Sequence, residues 1–573
     1  MIKKILEEDL KKAVESLGYK LSTDVEVYIP KNTDFGDYTT NLPLQLTKQE
    51  LANGKQNPLQ IANEIIEKLK HLDYLEKAEI AGGGFINFYL NTDALMKNLH
   101  LVCNYTYMID PKLIAEDQTT SRILLEYAQP NTHKAFHIGH TRNITLGESV
   151  ARLLESQGNK IYRCTYGSDI GLPVAKAIWG ILSLEKEYRE AKKKNLPEKA
   201  SFLGKAYAKG ATKYEEDETV KAEINALNIK LYLKDAKLMP IWEETRQWSL
   251  DYLEAIFTKV GTKFDGNFSE SQVEADGKAM VLQNIGKVFE EDEGAVIFPG
   301  EKYGLHNRVF ITVAGNPTYE AKEIGLAKLE YDNFNYDRAI HVVDVQQEGY
   351  FQVVIKAIDM LFPDLTGKKY HLSYGFVDLK GKKMSSRTGD VVTFDYLFSE
   401  VQKRVAKIME KTDLEEKEQV LNMVSIGAIK FTMLRYSPKT KILFDLDTSV
   451  ALEGDSGPYV QYAYARAKSV LRSASYDYQP VIAPGKLEEA ERQLLHKIEV
   501  FPEVVAKATR DLNPTDITNF LLEVAKVFNL FYQKHQIIKA GEKAEFRLAL
   551  TCSIAVILKQ GLYLLGIEAP ERM

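Results

Sequence analysis

In the stretch Asn131-Thr-His-Lys134-Ala-Phe-His137-Ile-Gly-His140 an ammonium and two imidazoles fall close together, with a glycine between the imidazoles. Imidazole and ammonium N–H groups donate to phosphate oxygens, and Gly139 leaves room for a nucleotide against the backbone. The signature lies between an apolar run, Ile123 to Tyr127, and a helical pattern with Leu146, Val150, Leu153 and Leu154 on one face. A second apolar run, Ile161 to Tyr166, follows Gly158. That order predicts strand, loop, helix, strand, the opening unit of a parallel sheet. The histidines then stand at a helix N-terminus, where free N–H groups and the dipole favour phosphate. The alternative reads His133, His137 and His140 as metal ligands. No cysteine cluster and no zinc-hydrolase glutamate stands beside them, so no protein-bound metal is expected.

Far downstream, Asp378-Leu-Lys-Gly-Lys-Lys383-Met-Ser-Ser-Arg387-Thr-Gly-Asp390 carries cations and hydroxyls around two glycines. Such a loop can fold over a triphosphate. Gly381 and Gly389 would act as hinges, and lysine and arginine would neutralise charge as pyrophosphate leaves.

The elements that must position these groups can be read coarsely. The 573 residues are 45% apolar and 27% charged with net charge −6, so a nucleic-acid partner must be met by local basic surface. Three scattered cysteines form no framework, as in a reducing cytosol, and the Lys/Glu-rich first twenty residues form no signal peptide. No apolar run is read as spanning a bilayer. Residues 1–115 mix helical patterns with short strands, including a glycine triplet (Gly82 to Gly84) leading into an aromatic strand. Residues 116–395 form a parallel-sheet domain, with strand patterns resuming near Arg308 to Val313 and Ala339 to Val345. A charged, mostly helical insertion is placed within it at about 177–310. Residues 396–455 read as a helical connection and 456–573 as a separate helical bundle.

Taken together, the two signatures resemble those of class I aminoacyl-tRNA synthetases. His137-Ile-Gly-His140 matches the first in full; Lys383-Met384-Ser385 resembles the second, with Ser386 where that family's second lysine stands. Arginyl-tRNA synthetases often lack that lysine and carry one ahead of the first signature, where this chain has Lys134. Phe35-Gly-Asp-Tyr-Thr-Thr-Asn41 and Ala81-Gly-Gly-Gly-Phe-Ile-Asn87 resemble their N-terminal domain, which contacts the tRNA D-loop. Gly457-Pro-Tyr-Val-Gln-Tyr-Ala-Tyr-Ala-Arg466 resembles the opening of their anticodon-binding bundle, and Leu564 to Met573 its ending.

The resemblance implies a multidomain α/β and all-α architecture: a Rossmann-like catalytic domain with a helical insertion, an α+β N-terminal domain and a C-terminal bundle. It implies ligation of arginine to tRNA(Arg), with ATP and Mg2+, by a cytoplasmic monomer. Lys134, His137, His140, Lys383 and Arg387 would be catalytic. His137, Gly139, His140, Lys383, Met384 and Ser385 would hold ATP. tRNA would meet Phe35, Asn41, Tyr459, Gln461, Tyr462 and Arg466. Tyr462 and Tyr464 alternate and cannot both face inward on one helix, so at least one is open for stacking.

A pocket for arginine needs acceptors for five N–H donors and a counter-charge. Glu126 closes the first strand, where an ionisable residue in an apolar run needs a reason. Tyr319 and Glu323 share a helix face, and Gln347 follows a strand end, where open α/β sheets bind ligands. Glu126, Asn131, Tyr319 and Gln347 match the family's arginine-binding pattern; Glu323 replaces its aspartate by a side chain one methylene longer. Asp169 and Gly171 fit a further motif, but Pro173 stands where a glutamine is usual. The structural alternative pairs Glu126 or Glu323 with Arg122 or Arg142. The functional alternatives are a class I synthetase for another amino acid and a catalytically inactive tRNA-binding paralogue.

Overall fold

The computed structural model describes residues 2–21, 23–30, 35–47, 57–104, 120–382, 391–410, 412 and 414–573. In the N-terminal part, β1 (Tyr38–Thr40), β2 (Leu75–Ala81) and β3 (Phe85–Leu90) pair antiparallel in the order β1-β3-β2. The glycine triplet makes the tight turn between β2 and β3, with positive φ at Gly82 and Gly84. Helices Ile2–Ser16 and Pro58–Leu69 bury Leu6, Leu10, Ile61 and Ile65 in its core.

The next part is built on β4 (Arg122–Glu126), β5 (Lys160–Gly167), β6 (Gly266–Ser269), and, after a small antiparallel sheet of β7 (Glu290–Asp292), β8 (Ala295–Phe298) and β9 (Arg308–Ile311), on β10 (Arg338–Asp344) and β11 (Lys369–Tyr374). The large sheet runs β11-β10-β4-β5-β6, every neighbouring pair parallel. The chain winds outward from β4 through β6, then restarts on the other side of β4 with β10. The order therefore reverses between β4 and β10, and a crevice opens beyond their C-terminal ends.

Apolar residues cover both faces, as a doubly wound parallel sheet requires. Ile123 and Leu125 meet helix Ile138–Ser156; Leu124, Cys164 and Phe268 meet helices Glu270–Gln283, Tyr319–Asn333 and Glu348–Leu361. Helix Ile138–Ser156 is buried well beyond the single apolar face read from sequence, because the C-terminal helices cover its other side. Arg142 is fully buried there and donates to the carbonyls of Met433, at 2.5 Å, and Pro438, at 2.7 Å.

The insertion differs from its expected span. Five helices from Leu172 to Lys259 lie between β5 and β6, but β6 itself, inside 177–310, is a strand of the large sheet. Its four residues, Gly-Asn-Phe-Ser, hold a single apolar side chain and carry no strand signal, and only pairing to β5 makes them a strand. Beyond the sheet, β12 (Val377–Leu379) pairs parallel with β13 (Ile442–Phe444). Helices Gly457–Ser473, Glu489–Arg510, Thr515–Lys534 and Ala544–Leu564 form the C-terminal bundle. One segment, Gly541–Leu564, is long and apolar enough to cross a membrane, contrary to the sequence reading; 72% of its 18-residue apolar stretch is buried, as in a core helix of the bundle.

Candidate active site

The crevice between β4 and β10 is lined by groups from four elements. Glu126, at the end of β4 and 2% exposed, lies in register with His341 of β10 and Cys164 of β5. Its Oε1 accepts from Gln129 Nε2 at 2.8 Å, and its Oε2 lies 2.9 Å from His341 Nδ1. Neither arginine of the structural alternative reaches it: Arg122 stacks on Phe334, and Arg142 is held by carbonyls. Glu323, on helix Tyr319–Asn333, packs over the same side of the sheet. Burial lifts its carboxyl well above the ordinary carboxylate range, and the charge of Glu126 adds to the rise. Glu323 is partly buried and has no hydrogen-bond or ion-pair partner among the described residues. Nearby Glu270 is neutralised by Lys322 at 2.5 Å and Glu330 by Lys369 at 2.7 Å. The pocket carboxyls without a lysine or arginine partner are thus Glu126 and Glu323.

Tyr319 stands one turn before Glu323 and is 51% exposed, its ring 5.3 Å from the Lys322 ammonium. It sits at the rim of the pocket, with Glu323 deeper. Gln347 is exposed beyond β10 and donates to Asp344 at 3.3 Å. Asn131 is half-buried in the loop after β4, without a hydrogen bond among the described residues.

That loop is fixed by side chains that no local pattern or motif singles out. Asn143 accepts from the Ala128 N–H and donates to Gln129 Oε1 at 3.0 Å and the Val342 carbonyl at 2.7 Å. Gln129 in turn orients Glu126. Ala128 and His133 both take left-handed backbone conformations, at φ 55° and 61°, which only a well-determined surround sustains. His133 is no ligand: it is buried against Thr132 at 2.9 Å and Thr245 at 2.8 Å. Asp169 is likewise structural, binding Arg246 and Ser271, each at 2.7 Å. The signal that could have exposed Gln129 was its place beside Glu126 in a loop whose polar atoms need partners; His341 hid in an apolar run.

His137 caps helix Ile138–Ser156. Its Nδ1 accepts from the Gly139 N–H at 3.2 Å, while His140 Nδ1 accepts from the His137 N–H at 3.2 Å. The rings stack 3.8 Å apart. Burial and the neighbouring Lys134 lower His137 to about 4; burial, His137 and Lys134 take His140 well below its ordinary value. Both rings are therefore neutral near pH 7 with Nδ1 accepting, which leaves each Nε2–H free to donate. A Cβ at Gly139 would approach the His137 ring to 3.0 Å, so this glycine makes room for the imidazole stack. Lys134 lies beside the pair, 4.7 Å from the Tyr207 ring of the insertion.

The second signature's Lys383, Met384, Ser385 and Arg387 lie outside the described residues. Its exit does not: Ile138 N–H donates to the Val392 carbonyl at 2.9 Å, and Phe394 N–H to the Phe136 carbonyl at 3.0 Å. The chain leaving that signature is thus bonded to the turn that carries His137.

The expected tRNA contacts fare unevenly. Phe35 is 53% exposed, and Asn41 accepts from Gln45 at 2.9 Å at the start of a short helix. Tyr464 is buried, whereas Tyr462 is part of a surface stack in which Arg466 lies 4.7 Å from its ring and 4.9 Å from that of Tyr532. Tyr459 packs against the core. Gln461 corrects the expectation: it is fully buried, and its amide donates to the Glu568 carbonyl at 2.7 Å, so it braces the C-terminus instead of facing a ligand.

Three family models match the chain: "Arginyl tRNA synthetase N terminal domain" over 1–90, "tRNA synthetases class I (R), catalytic domain" over 107–446, and "DALR anticodon binding domain" over 460–573. The chain is 30% identical over 536 residues to an arginine–tRNA ligase of Bdellovibrio bacteriovorus, covering 91% of this chain and 90% of that one. It is 29% identical to one of Flavobacterium psychrophilum, each chain covered in full. The solved arginyl-tRNA synthetase of Thermus thermophilus superposes over the whole of both chains, with TM-score 0.83 at 27% identity.

Proposed function

The chain belongs to the arginyl-tRNA synthetases, class I ligases that join arginine to tRNA with ATP, and from that membership we propose how its residues divide the work. Glu126 and Glu323 clamp the guanidinium, Tyr319 closes the rim, and Asn131 and Gln347 hold the amino-acid end. The observation that carries this reading is the carboxylate pair whose member Glu323 has no partner: a planar cation with several donors supplies what both lack.

His137 and His140 donate Nε2–H to ATP, which Mg2+ accompanies, and Lys134 meets the phosphates from the insertion side. Lys383 and Arg387, with Met384 and Ser385, meet them from the other. The arginine carboxylate attacks the α-phosphate and pyrophosphate leaves; the terminal adenosine hydroxyl of tRNA(Arg) then attacks the mixed anhydride. Neither step needs a protein nucleophile, since positioning and charge stabilisation suffice. Phe35 and Asn41 contact tRNA at the N-terminal domain; Tyr459, Tyr462 and Arg466 contact it at the bundle. The protein acts as a cytoplasmic monomer.

Charging total tRNA with each of the twenty amino acids tests the reading. Arginine alone should be attached, and pyrophosphate exchange should depend on added tRNA. Attachment of another amino acid would refute the pocket assignment, and no attachment at all would favour the inactive paralogue.

A further inference from the structure

Behind Glu126 runs a buried chain of charge and hydrogen bonds that the reaction above does not use. Glu330 Oε2 accepts from Lys369 Nζ at 2.7 Å. Lys369 Nζ lies 3.1 Å from His341 Nε2, and His341 Nδ1 lies 2.9 Å from Glu126 Oε2. All four residues are buried. An ammonium only donates, so His341 Nε2 must accept, and its single remaining proton sits on Nδ1, directed at Glu126. Burial, followed by the charge of Lys369, lowers His341 to about 3, which keeps the ring neutral and fixes this tautomer. Together with Gln129 on the other oxygen, the carboxylate of Glu126 is held at both ends.

The elements explain how the chain assembles. His341 and Glu126 are register partners on neighbouring strands. Lys369 enters β11 opposite Ala339, two residues before His341, and therefore on the same face of the sheet. Glu330 lies two helical turns beyond Glu323, so one helix face delivers both the partnerless carboxylate and the anchor of the relay. Glu126, Glu330 and His341 also have the spacing of a metal site, but Lys369 already places its cation between Glu330 and His341.

We propose that His341, oriented by the Lys369–Glu330 pair, is a positioning residue for arginine selection. It donates to Glu126 so that the carboxylate's free lone pairs face the incoming guanidinium. The inference rests on the arginine reading above and extends it to three residues that touch no substrate. A neutral imidazole is suited to the task. It passes on the orientation set by Lys369 without neutralising Glu126, as a directly paired lysine would.

The test compares His341→Asn with His341→Gln, in the full-length protein, by steady-state aminoacylation. An asparagine amide ends near the position of Nδ1 and can still donate to Glu126. A glutamine amide ends near Nε2 and keeps only the Lys369 side. KM for arginine should rise about ten- to a hundredfold in His341→Gln, the scale of a lost hydrogen bond to a charged group. His341→Asn should recover most of that rise, with KM for ATP and for tRNA unchanged in both. Equal KM for arginine in the two variants, or a parallel change in all three KM values, would overturn the proposal. If either variant fails to fold, Lys369→Arg decides: it keeps the cation but alters its geometry, and an unchanged KM for arginine would count against the relay. Failure of the arginine reading itself shows separately, as absence of arginine charging by the unsubstituted protein.

Discussion

Under the proposed function, Glu323 is the side chain whose protonation governs arginine binding. In the ligand-free protein burial and Glu126 favour its protonated form, whereas a guanidinium needs the carboxylate. The apparent KM for arginine should therefore fall as pH rises through the raised value. Glu323→Gln should give a higher KM that no longer varies with pH over that range. Stability follows the opposite course. A carboxyl raised above its ordinary 4.5 contributes stability that is complete below that pH and lost as pH rises through the folded value. Thermal unfolding without arginine should show this loss in the parent protein and not in Glu323→Gln. Lys134 lies beside His137 at the other end of the proposed site. Lys134→Ala should lower kcat by about a hundredfold, the cost of removing one electrostatic donor from a reacting phosphate or oxyanion, and should leave KM for arginine nearly unchanged.

Lys134 depends in turn on how the insertion packs. Its neighbour Tyr207 lies on helix Leu196–Glu216, which crosses helix Leu172–Ser183 at glycine contacts. A Cβ at Gly210 would come within 2.0 Å of the Lys176 carbonyl, and one at Gly180 within 2.0 Å of the Ala206 carbonyl. The two helices can approach this closely only because both positions lack a side chain. Gly210→Ala must push the helices apart and shift Tyr207 away from Lys134. Activity should drop several-fold through kcat or KM for ATP, while KM for arginine, set in the sheet crevice, stays near that of the parent. A rise in KM for arginine alone would show that the insertion reaches the other half of the site.

Across the whole molecule, the N-terminal domain docks on the C-terminal bundle through buried polar contacts. Arg492 binds Asp37 at 2.7 Å, and Tyr38 donates to Glu503 at 2.6 Å, with Glu499 beside it. Asn98 also binds Glu499, and Lys3 lies 3.6 Å from Glu503. Burial, then the charge of Glu503, raises Glu499 to about 7. Its contribution is present below pH 4.5 and lost as pH rises through 7, worth about 3 kcal/mol at roughly 1.4 kcal/mol per unit. Docking should loosen progressively between about pH 4.5 and 7 and change little above that, seen as faster limited proteolysis at the domain junction. Glu499→Gln should remove the difference. Lys430 ties the other side of the molecule together: it is buried and donates to the carbonyls of Val260 and, at 2.6 Å, Gly566.

The sequence by itself determined the strand–loop–helix–strand unit around His137 and His140 and the helical C-terminus, and it singled out Glu126, Tyr319 and Glu323, which the fold brings to one side of the sheet. Local periodicity and short motifs encode these, because each is decided by residues a few positions apart. It did not determine that β6 joins the large sheet, since that strand exists only through its hydrogen bonds to β5. Nor did it single out Gln129, Asn143, His341 or Lys369, whose partners lie on other strands and helices up to 231 residues away. Gln461 looked like an exposed contact and is core, because the C-terminal residues fold back over it. Cys103, remote from Ser553 in sequence, comes to lie 2.9 Å from its hydroxyl across the docked domains. The lack of a cationic partner at Glu126 and Glu323 is likewise a property of three-dimensional pairing. Which carboxylates gain a lysine partner and which do not is settled only when the chain has closed around them.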